Sequence, residues 1–405
     1  MNSTSAILSV LQPLSLSKTP SLLLSNLTSD VGAGEIGNIQ GGFNAIAYVH
    51  DSDVMCVTLS ADTREVISTK KVDIPKKSVI HTISYLACGS SSVLGIASDH
   101  GFQVWSHEGT RMLWFRNIDE MIGETRAVLS ELVSRGISTT ISTSDTNNFA
   151  QGCASCALDT YRAHISVGTS SGSVFVYSSE GEQLHCLTGT ANGGDREVNN
   201  NMAPITCLAA SDTFLVSSDE RGCLTVYSIQ ESYRQTAQIV TSRYVSDDSG
   251  GFYCTALACS RAVVFAGYTN GCIRVYRADA GELLIEIAAH SRCVTGLSIH
   301  PSMNYIASCG EDQTVNLWNV PDFSAVPSLA LVDLQCNVKL ENAICTGVSW
   351  LKNGNLMCAN YDDEQLSLLS VVTRSSVGDD QFRAMLAMTS TQAAHEYNAL
   401  GSDSK

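Results

Sequence analysis

A unit of about 40 to 50 residues repeats along this chain, and no other sequence feature restricts its fold as strongly. Three clear copies start at Ile205, Cys254 and Val294. Each contains three β-type runs, and a short turn rich in Asp, Asn or Gly joins the last two. The third run of four successive units ends in an aromatic residue, and these residues stand 50, 49 and 42 positions apart: Tyr177, Tyr227, Tyr276 and Trp318. This spacing is typical of the four-stranded blades of a β-propeller.

Weaker copies extend the series to seven third strands. They lie at Val54 to Leu59, Val93 to Trp105, Ser173 to Tyr177 and Leu356 to Leu369. Seven sheets packed radially bury faces that one sheet cannot bury alone. The sequence therefore predicts an all-β fold, a single seven-bladed β-propeller over residues 18–373. The last unit lacks a fourth strand, and we expect Ser21 to Leu27 to supply it.

Two segments fall outside the repeat. The first, residues 117–150, is an insertion between blades, and its apolar residues recur at helical spacing: Ile118, Met121, Ile122, Leu129, Leu132 and Val133. This predicts an amphipathic helix that either caps a blade edge or serves as an interaction handle, followed by a flexible Ser/Thr-rich stretch over 138–148. The second segment is a C-terminal tail, residues 374–405, where Phe382, Met385, Leu386 and Met388 predict a short helix.

Charge and hydropathy exclude several classes of protein. The formal net charge is −16, which disfavours a nucleic-acid partner because phosphate binding needs clustered Lys and Arg. No apolar run reaches the roughly 18 residues of a membrane-spanning helix. The N-terminus has no basic start and does not resemble a secretion signal. We therefore expect a cytoplasmic protein, with association with cilia or vesicles as a further option.

The fifteen cysteines are an odd number scattered along the chain. Several lie in apolar runs, where a thiol in a reducing compartment behaves as a small buried hydrophobe. Cys153 and Cys156 form the sole C-x-x-C motif, and no second pair stands at zinc-site spacing. We therefore expect no metal and no cofactor.

The unit from His290 to Asn319 carries a recognisable constellation, AH followed after a strand by ASCGEDQTVNLWN, and it resembles the signature of the WD-repeat family. The resemblance is strongest over Phe265 to Asn319. It implies a β-propeller and a structural tetrad of four hydrogen-bonded side chains, His290, Ser308, Asp312 and Trp318. Such buried polar networks are usually structural, so we interpret His290 and Asp312 as parts of a blade rather than as a catalytic dyad.

Three motifs that suggest chemistry have simpler interpretations. Gly168 to Gly172 fits the G-x-S-x-G pattern around Ser170, but a β-type run follows where a nucleophile elbow needs a helix. Gly32 to Gly37 fits G-x-G-x-x-G without a βαβ unit around it. His395-Glu396 lacks the second histidine of a zinc protease.

An acidic rim is expected on one face of the propeller, where the turns between second and third strands gather. The rim residues that we expect to contact a partner are Asp99, Asp219, Glu220, Arg221, Glu311, Asp362 and Asp363. Complementary charge would favour a partner with a basic segment. The alternative is a charged surface that only maintains solubility.

Two functions remain open on the sequence alone. The WD-repeat resemblance implies a non-catalytic protein–protein interaction scaffold, a subunit or adaptor of a multi-protein assembly, with self-association as an additional option. The alternative is a hydrolase or other enzyme that uses the central channel. His81 is the only candidate catalytic group on the predicted inner strands, which favours the scaffold.

Overall fold

The computed structural model describes thirteen stretches of the chain. They are residues 6–30, 43–60, 65–75, 77–88, 91–135, 148–158, 162–188, 203–240, 253–261, 263–320, 332–340, 344–378 and 380–385. Some sequence predictions concern residues outside these stretches. They are the G-x-G-x-x-G motif, His395-Glu396, Leu386, Met388 and all of the predicted flexible stretch except Asn148.

The described strands form seven antiparallel sheets, the blades, numbered here along the chain. From the innermost strand outward, blade 1 contains β3 (Thr28–Ser29), β4 (Phe43–His50), β5 (Asp53–Ser60) and β6 (Val66–Lys71). Blade 2 contains β7 (Ile80–Cys88), β8 (Ser91–Ser98), β9 (Gly101–Trp105) and β10 (Met112–Asn117). Blade 3 contains β11 (Ala150–Ala157), β12 (Ala163–Thr169), β13 (Val174–Ser178) and β14 (Gln183–Leu187). The sequence-based prediction of a seven-bladed all-β propeller is confirmed.

The remaining blades follow the same order. Blade 4 contains β15 (Ile205–Ala210), β16 (Phe214–Asp219), β17 (Leu224–Ser228) and β18 (Arg234–Ile239). Blade 5 contains β19 (Cys254–Ser260), β20 (Val263–Tyr268), β21 (Cys272–Arg277) and β22 (Glu282–Ala288). Blade 6 contains β23 (Val294–Ile299), β24 (Tyr305–Gly310), β25 (Thr314–Asn319) and β26 (Asp333–Lys339). Blade 7 contains β27 (Cys345–Trp350), β28 (Asn355–Asn360), β29 (Gln365–Thr373) and the N-terminal β1 (Ala6–Val10), with β2 (Leu14–Ser15) on the far end of β29.

The two ends of the chain close the ring, but through a different segment from the one expected. β1 pairs with β29 from Ala6 opposite Thr373 to Val10 opposite Leu369. Ser21 to Leu27 was therefore wrongly predicted as the closing strand, and the paired region starts upstream of residue 18. The reason is geometric: the closing strand is the outermost of its blade, so the chain still needs residues 16–27 to reach the innermost strand of blade 1.

Hydrophobic clusters lie between successive blades all the way around the described ring. The cluster between blades 6 and 7 contains Leu8 and Trp350, and the cluster between blades 7 and 1 contains Tyr48 and Met357. The other five interfaces have equivalent clusters. Each sheet thus buries both faces against its neighbours, which is the main source of stability in this architecture.

A β-bulge near the start of the inner strands adds hydrogen bonds between blades. In blades 5 and 6 the bulged residue is a threonine. Thr255 Oγ1 donates to the Val294 carbonyl of the next blade at 2.6 Å, and Thr295 Oγ1 donates to the Cys345 carbonyl at 2.7 Å. Inner strands of adjacent blades are therefore joined by polar bonds in addition to apolar contacts.

The helix predicted in the insertion is α1 (Ile118–Ser134). Asn117 caps it by accepting a hydrogen bond from the Asp119 backbone N–H at 2.8 Å. Ile118, Met121 and Ile122 are buried in the cluster between blades 2 and 3, so the helix covers the end of that interface. α2 (Arg374–Val377) follows β29, and Phe382 of the tail is fully buried. No helix of the described residues is long and apolar enough to span a membrane.

Candidate interaction surface

One face of the ring carries the turns between second and third strands together with the connections between blades. Both lie there because antiparallel strands alternate in direction. We call this face the turn face. The turns that join the first to the second strand and the third to the fourth strand lie on the other side of the ring, which we call the opposite face. α1 belongs to the turn face because it connects the outermost strand of blade 2 to the innermost strand of blade 3.

The four side chains of the expected tetrad form one continuous chain of hydrogen bonds in blade 6. Trp318 Nε1 donates to Ser308 Oγ at 2.9 Å, and Ser308 Oγ lies 2.8 Å from His290 Nε2. His290 Nδ1 lies 3.0 Å from Asp312 Oδ1. Since Ser308 Oγ accepts the indole N–H, its hydroxyl is free to donate to Nε2, and the Nδ1–H of His290 then donates to Asp312.

The electrostatics of this network favour a neutral histidine beside a charged carboxylate. Burial lowers the pKa of His290 despite the neighbouring charge of Asp312. Burial alone would raise the pKa of Asp312, but hydrogen bonds from the Ser291 N–H and from Thr314, together with His290, hold that pKa below its usual value. The network therefore ties the loop holding Ser291 to the turn of blade 6.

Ser308, His290 and Asp312 have the connectivity of a Ser–His–Asp triad, but they lack its access to substrate. Ser308 is 0% exposed, and its Oγ already accepts the hydrogen bond from Trp318. A substrate carbonyl has no path to this oxygen in the folded blade. The arrangement can position strands and a turn, and it cannot perform acyl transfer as it stands.

Blades 2 and 5 have different polar contacts on their third strands. In blade 2, Trp105 Nε1 donates to Gln103 Oε1 at 2.9 Å. In blade 5, the guanidinium of Arg274 lies over the Tyr268 ring at 5.0 Å and pairs with Glu286 at 2.6 Å. Among the described residues, only those of blade 6 complete the four-residue network.

Two of the expected rim carboxylates hold their own turns. Asp219 Oδ1 accepts the backbone N–H groups of Arg221 and Cys223 at 2.9 and 3.0 Å, and the Arg221 guanidinium binds its Oδ2. Asp363 accepts from Gln365 N at 3.0 Å and from Asn360 Nδ2 at 3.3 Å. The charge of Asp219 is offset by Arg221, whereas Asp363 keeps its charge but has both oxygens engaged within its own turn.

Three other rim carboxylates are more available. Glu220 and Asp362 are exposed and Glu311 is half-buried. The side chains of Glu220 and Glu311 make no hydrogen bond or ion pair within the described residues, and Asp362 accepts a 3.3 Å hydrogen bond from Thr19 Oγ1. Glu311 and Asp362 lie on the turns of adjacent blades 6 and 7, whereas Glu220 lies on blade 4 and Asp99 on blade 2. The rim is therefore divided among blades and is not one continuous cluster.

Residues 19–27 run along the turn face from the turn of blade 7 to the start of the innermost strand of blade 1. The Pro20 carbonyl accepts from Asp362 N at 3.0 Å, and Ser25 N donates to the Thr295 carbonyl at 2.8 Å. Asn26 is fully buried, and Val49 N donates to its Oδ1 at 2.6 Å. This segment thus contacts blades 6, 7 and 1 on the turn face.

Apolar side chains of this segment and of the blade 7 turn are exposed on the same face as the available carboxylates. Leu22 is 64% exposed, Leu24 37% and Tyr361 46%. We call the combined surface the mouth patch and define it by Leu22, Leu24, Tyr361, Glu311, Asp362 and Glu364. Sequence reasoning missed its apolar members because it assigned Ser21 to Leu27 to the closing fourth strand of the last blade. The available signal was the flanking of the short run Leu22 to Leu24 by Pro20 and by Ser25 and Asn26, because these residue types favour turns and loops over strands.

The channel offers little for catalysis. Among the described inner strands, His81 is the only histidine, carboxylate, lysine or arginine. Its ring stacks on Phe149 with centroids 4.6 Å apart, and burial lowers its pKa. Within the described residues this imidazole makes no hydrogen bond or ion pair, and the one charge that opposes the effect of burial on its pKa is Asp99 in the turn of blade 2.

The C-x-x-C pair lies in a strand, where its two thiols are separated. Cys153 and Cys156 are both buried in β11, three residues apart, so their side chains point to opposite sheet faces. Cys153 packs between blades 2 and 3 and Cys156 between blades 3 and 4. The described residues contain no group of three or more His, Cys, Asp or Glu side chains arranged for a metal ion.

Comparison with known proteins agrees with this architecture. A family model described as WDR54 matches residues 66–362, which is well over half of the chain. The chain belongs to the WDR54 family. Two relatives of this WDR54-family chain are WD repeat-containing protein 54 of Mus musculus and of Homo sapiens, each 23% identical over 235 residues. The aligned region covers 56% of this chain and 59% of each relative, so the chain matches less than two thirds of their length.

More distant similarities extend to the propeller fold alone. Ubiquitin homeostasis protein lub1 of Schizosaccharomyces pombe is 33% identical over 110 residues, 27% of the WDR54-family chain and 14% of that protein. A chain of the Mitotic Checkpoint Complex crystal structure superposes with a TM-score of 0.59 at 14% identity, covering 89% of this chain and 94% of that one. The RRP9 WD40 repeats superpose with a TM-score of 0.58 at 12% identity, covering 90% and 100%.

Proposed function

We propose that this WDR54-family chain is a non-catalytic interaction scaffold that binds a partner protein through the mouth patch. The observation that carries the proposal is the combination of available carboxylates and exposed apolar side chains on adjacent blades. Apolar area at the centre with charge around it is the usual composition of a protein-binding surface. Carboxylates of the mouth patch favour a partner segment that carries Lys or Arg next to an apolar residue.

The tetrad has an architectural role in this proposal. Ser308 and His290 are sealed inside blade 6, and their hydrogen bonds fix the turn that carries Glu311. In this proposal the tetrad contributes to binding only because it positions the turn of blade 6 on the turn face. We further propose a cytoplasmic location, because fifteen cysteines that form no disulfide suit a reducing compartment. Imaging of the tagged full chain in living cells tests the location.

Affinity purification with quantitative mass spectrometry tests the binding surface. The variant Glu311→Gln, Asp362→Asn and Glu364→Gln removes three charges while keeping the side-chain shapes, and Asn tolerates the left-handed backbone of residue 362 (φ 55°). A matched control removes three exposed carboxylates elsewhere, on the opposite face: Glu65→Gln, Glu182→Gln and Asp212→Asn.

We expect the mouth-patch variant to lose partners that the control variant retains. The same partners on both variants at unchanged abundance would contradict the proposal and support the solubility interpretation. Light scattering of the purified chain at several concentrations separates self-association from binding to other proteins.

A further inference from the structure

A pocket of about 730 Å³ opens on the outer part of blade 2, beside the start of α1. Met112 and Phe115 of β10 line it, and Pro75 of the connection from blade 1 lies at its border. Phe115 pairs with Gln103 of β9, so both side chains point to the sheet face that blade 1 covers nearer the axis. The pocket is therefore the outer end of the crevice between blades 1 and 2.

Asp99 lines this pocket with a side chain that is 33% exposed. Its Oδ1 is buried and makes no hydrogen bond, and the nearest cationic group among the described residues is His100 Nδ1 at 3.9 Å. Because the described residues supply no hydrogen-bond donor to this carboxylate, a cationic ligand group that pairs with it would be stabilising. Asp119 also lines the pocket, and no Lys or Arg is among its lining residues in the part of the chain that the structure describes.

The N-terminus of α1 does not reverse this charge. The Ile118 N–H donates to the His100 carbonyl at 3.1 Å, and the Asp119 N–H donates to Asn117. Asp119 and Glu120 in the first turn offset the positive end of the helix dipole. The pocket thus favours a cation over an anion.

Apolar side chains stand next to the carboxylates. Met112 is 40% exposed and Phe115 is 39% exposed, although both are large hydrophobic residues. Exposed apolar area inside a concave site is typical of binding surfaces. Two different features of a ligand, a cationic head and an apolar body, are therefore matched within one cavity.

We propose that this pocket binds a short segment of a partner protein in which an arginine or lysine stands next to an aliphatic or aromatic residue. The cationic group pairs with the exposed part of the Asp99 carboxylate, and the apolar neighbour covers Met112 and Phe115. The pocket lies on blade 2, apart from the mouth patch of blades 6 and 7 and of residues 19–27. It extends the scaffold role, and it stands or falls separately from the mouth patch.

Panning of a displayed library of random nine-residue peptides on the full chain tests this site. We expect the enriched peptides to share one basic residue adjacent to an apolar one. Fluorescence anisotropy with the enriched peptide should show binding weakened about tenfold or more by Asp99→Asn, because a charge-assisted hydrogen bond is lost. Met112→Gln, of similar length, should weaken binding severalfold.

Two controls separate this site from general charge effects. A peptide with citrulline or glutamine in place of its basic residue should bind as weakly as the charged peptide binds Asp99→Asn. The mouth-patch variant Glu311→Gln, Asp362→Asn and Glu364→Gln should bind the peptide as the unmodified chain does. Absence of an enriched basic–apolar motif, undiminished binding to Asp99→Asn, or equal loss on the mouth-patch variant would each overturn the proposal.

Discussion

Leu8 of β1 lies opposite Val371 of β29, so residues near the two ends of the chain share one sheet. Leu8 is 2% exposed and packs in the cluster between blades 6 and 7. This pairing completes the last blade, and Leu8 contributes directly to the cluster between blades 6 and 7. The N-terminal strand is thus part of the core architecture.

Leu8→Ala should therefore destabilise the whole propeller. We expect a loss of about 2–5 kcal/mol in the free energy of unfolding, the usual cost of truncating a buried leucine. Urea denaturation followed by intrinsic tryptophan fluorescence measures it. Val10→Ala on the same strand is the control, because Val10 is 62% exposed and its truncation should cost no more than about 0.5 kcal/mol. Equal effects of the two substitutions would argue against closure by β1.

Ser308→Ala should destabilise blade 6 without abolishing a catalytic activity. The substitution leaves the Trp318 indole N–H and His290 Nε2 without their shared partner, at a cost of about 1–3 kcal/mol. Thermal unfolding measures the change, with Ser291→Ala as the control because the Ser291 side chain is exposed and only its backbone N–H bonds Asp312. A Ser308→Ala variant as stable as the unmodified chain would contradict the structural role.

Stability should fall as the pH is lowered from about 6.5 to about 4. His300 Nδ1 accepts hydrogen bonds from the backbone N–H groups of Ser302 and Met303, at 3.1 and 3.0 Å, and protonation of Nδ1 would break both. Burial lowers the pKa of His300 to about 4, whereas the unfolded value is about 6.5. Because the unfolded chain binds the proton more tightly, this contribution is complete above pH 6.5 and is lost toward pH 4.

His300→Asn isolates that contribution. The asparagine Oδ1 can accept one of the same backbone hydrogen bonds but does not titrate. The slope of melting temperature against pH should therefore become shallower, and the loss of unfolding free energy between pH 6.5 and pH 4 should be smaller by roughly 1–3 kcal/mol. An unchanged slope in the variant would assign the pH dependence to other groups.

His81→Phe should leave the partner set unchanged. Phenylalanine preserves the ring contact with Phe149 and removes the one titratable imidazole of the described inner strands. A panel of hydrolase substrates, assayed with the unmodified chain and this variant, provides the direct comparison. Turnover by the unmodified chain that His81→Phe abolishes would support the channel enzyme and contradict the scaffold.

The blades could be predicted from the sequence because each blade needs the same strand runs, turns and aromatic ends, and these recur about every 40 to 50 residues. It predicted α1 because Ile118, Met121 and Ile122 recur at helical spacing. It did not predict the closing strand, because Ala6 to Val10 and Ser21 to Leu27 are both short apolar runs, and only the three-dimensional path of the chain distinguishes them. The pairing of Arg221 with Asp219 and the unpaired oxygen of Asp99 were likewise beyond sequence reasoning, because side-chain geometry decides both.

Site-specific photo-crosslinking from two positions tests the central claim most directly. A photoreactive benzoylphenylalanine replaces Leu22 in the mouth patch or Met303, which is 36% exposed in the turn between the first and second strands of blade 6, on the opposite face. Both full-length proteins are irradiated in cell extract, and crosslinked partners are identified by mass spectrometry. We predict a specific crosslinked partner from position 22, lost in the mouth-patch variant, and none in common from position 303. Crosslinking only from position 303 would contradict the account.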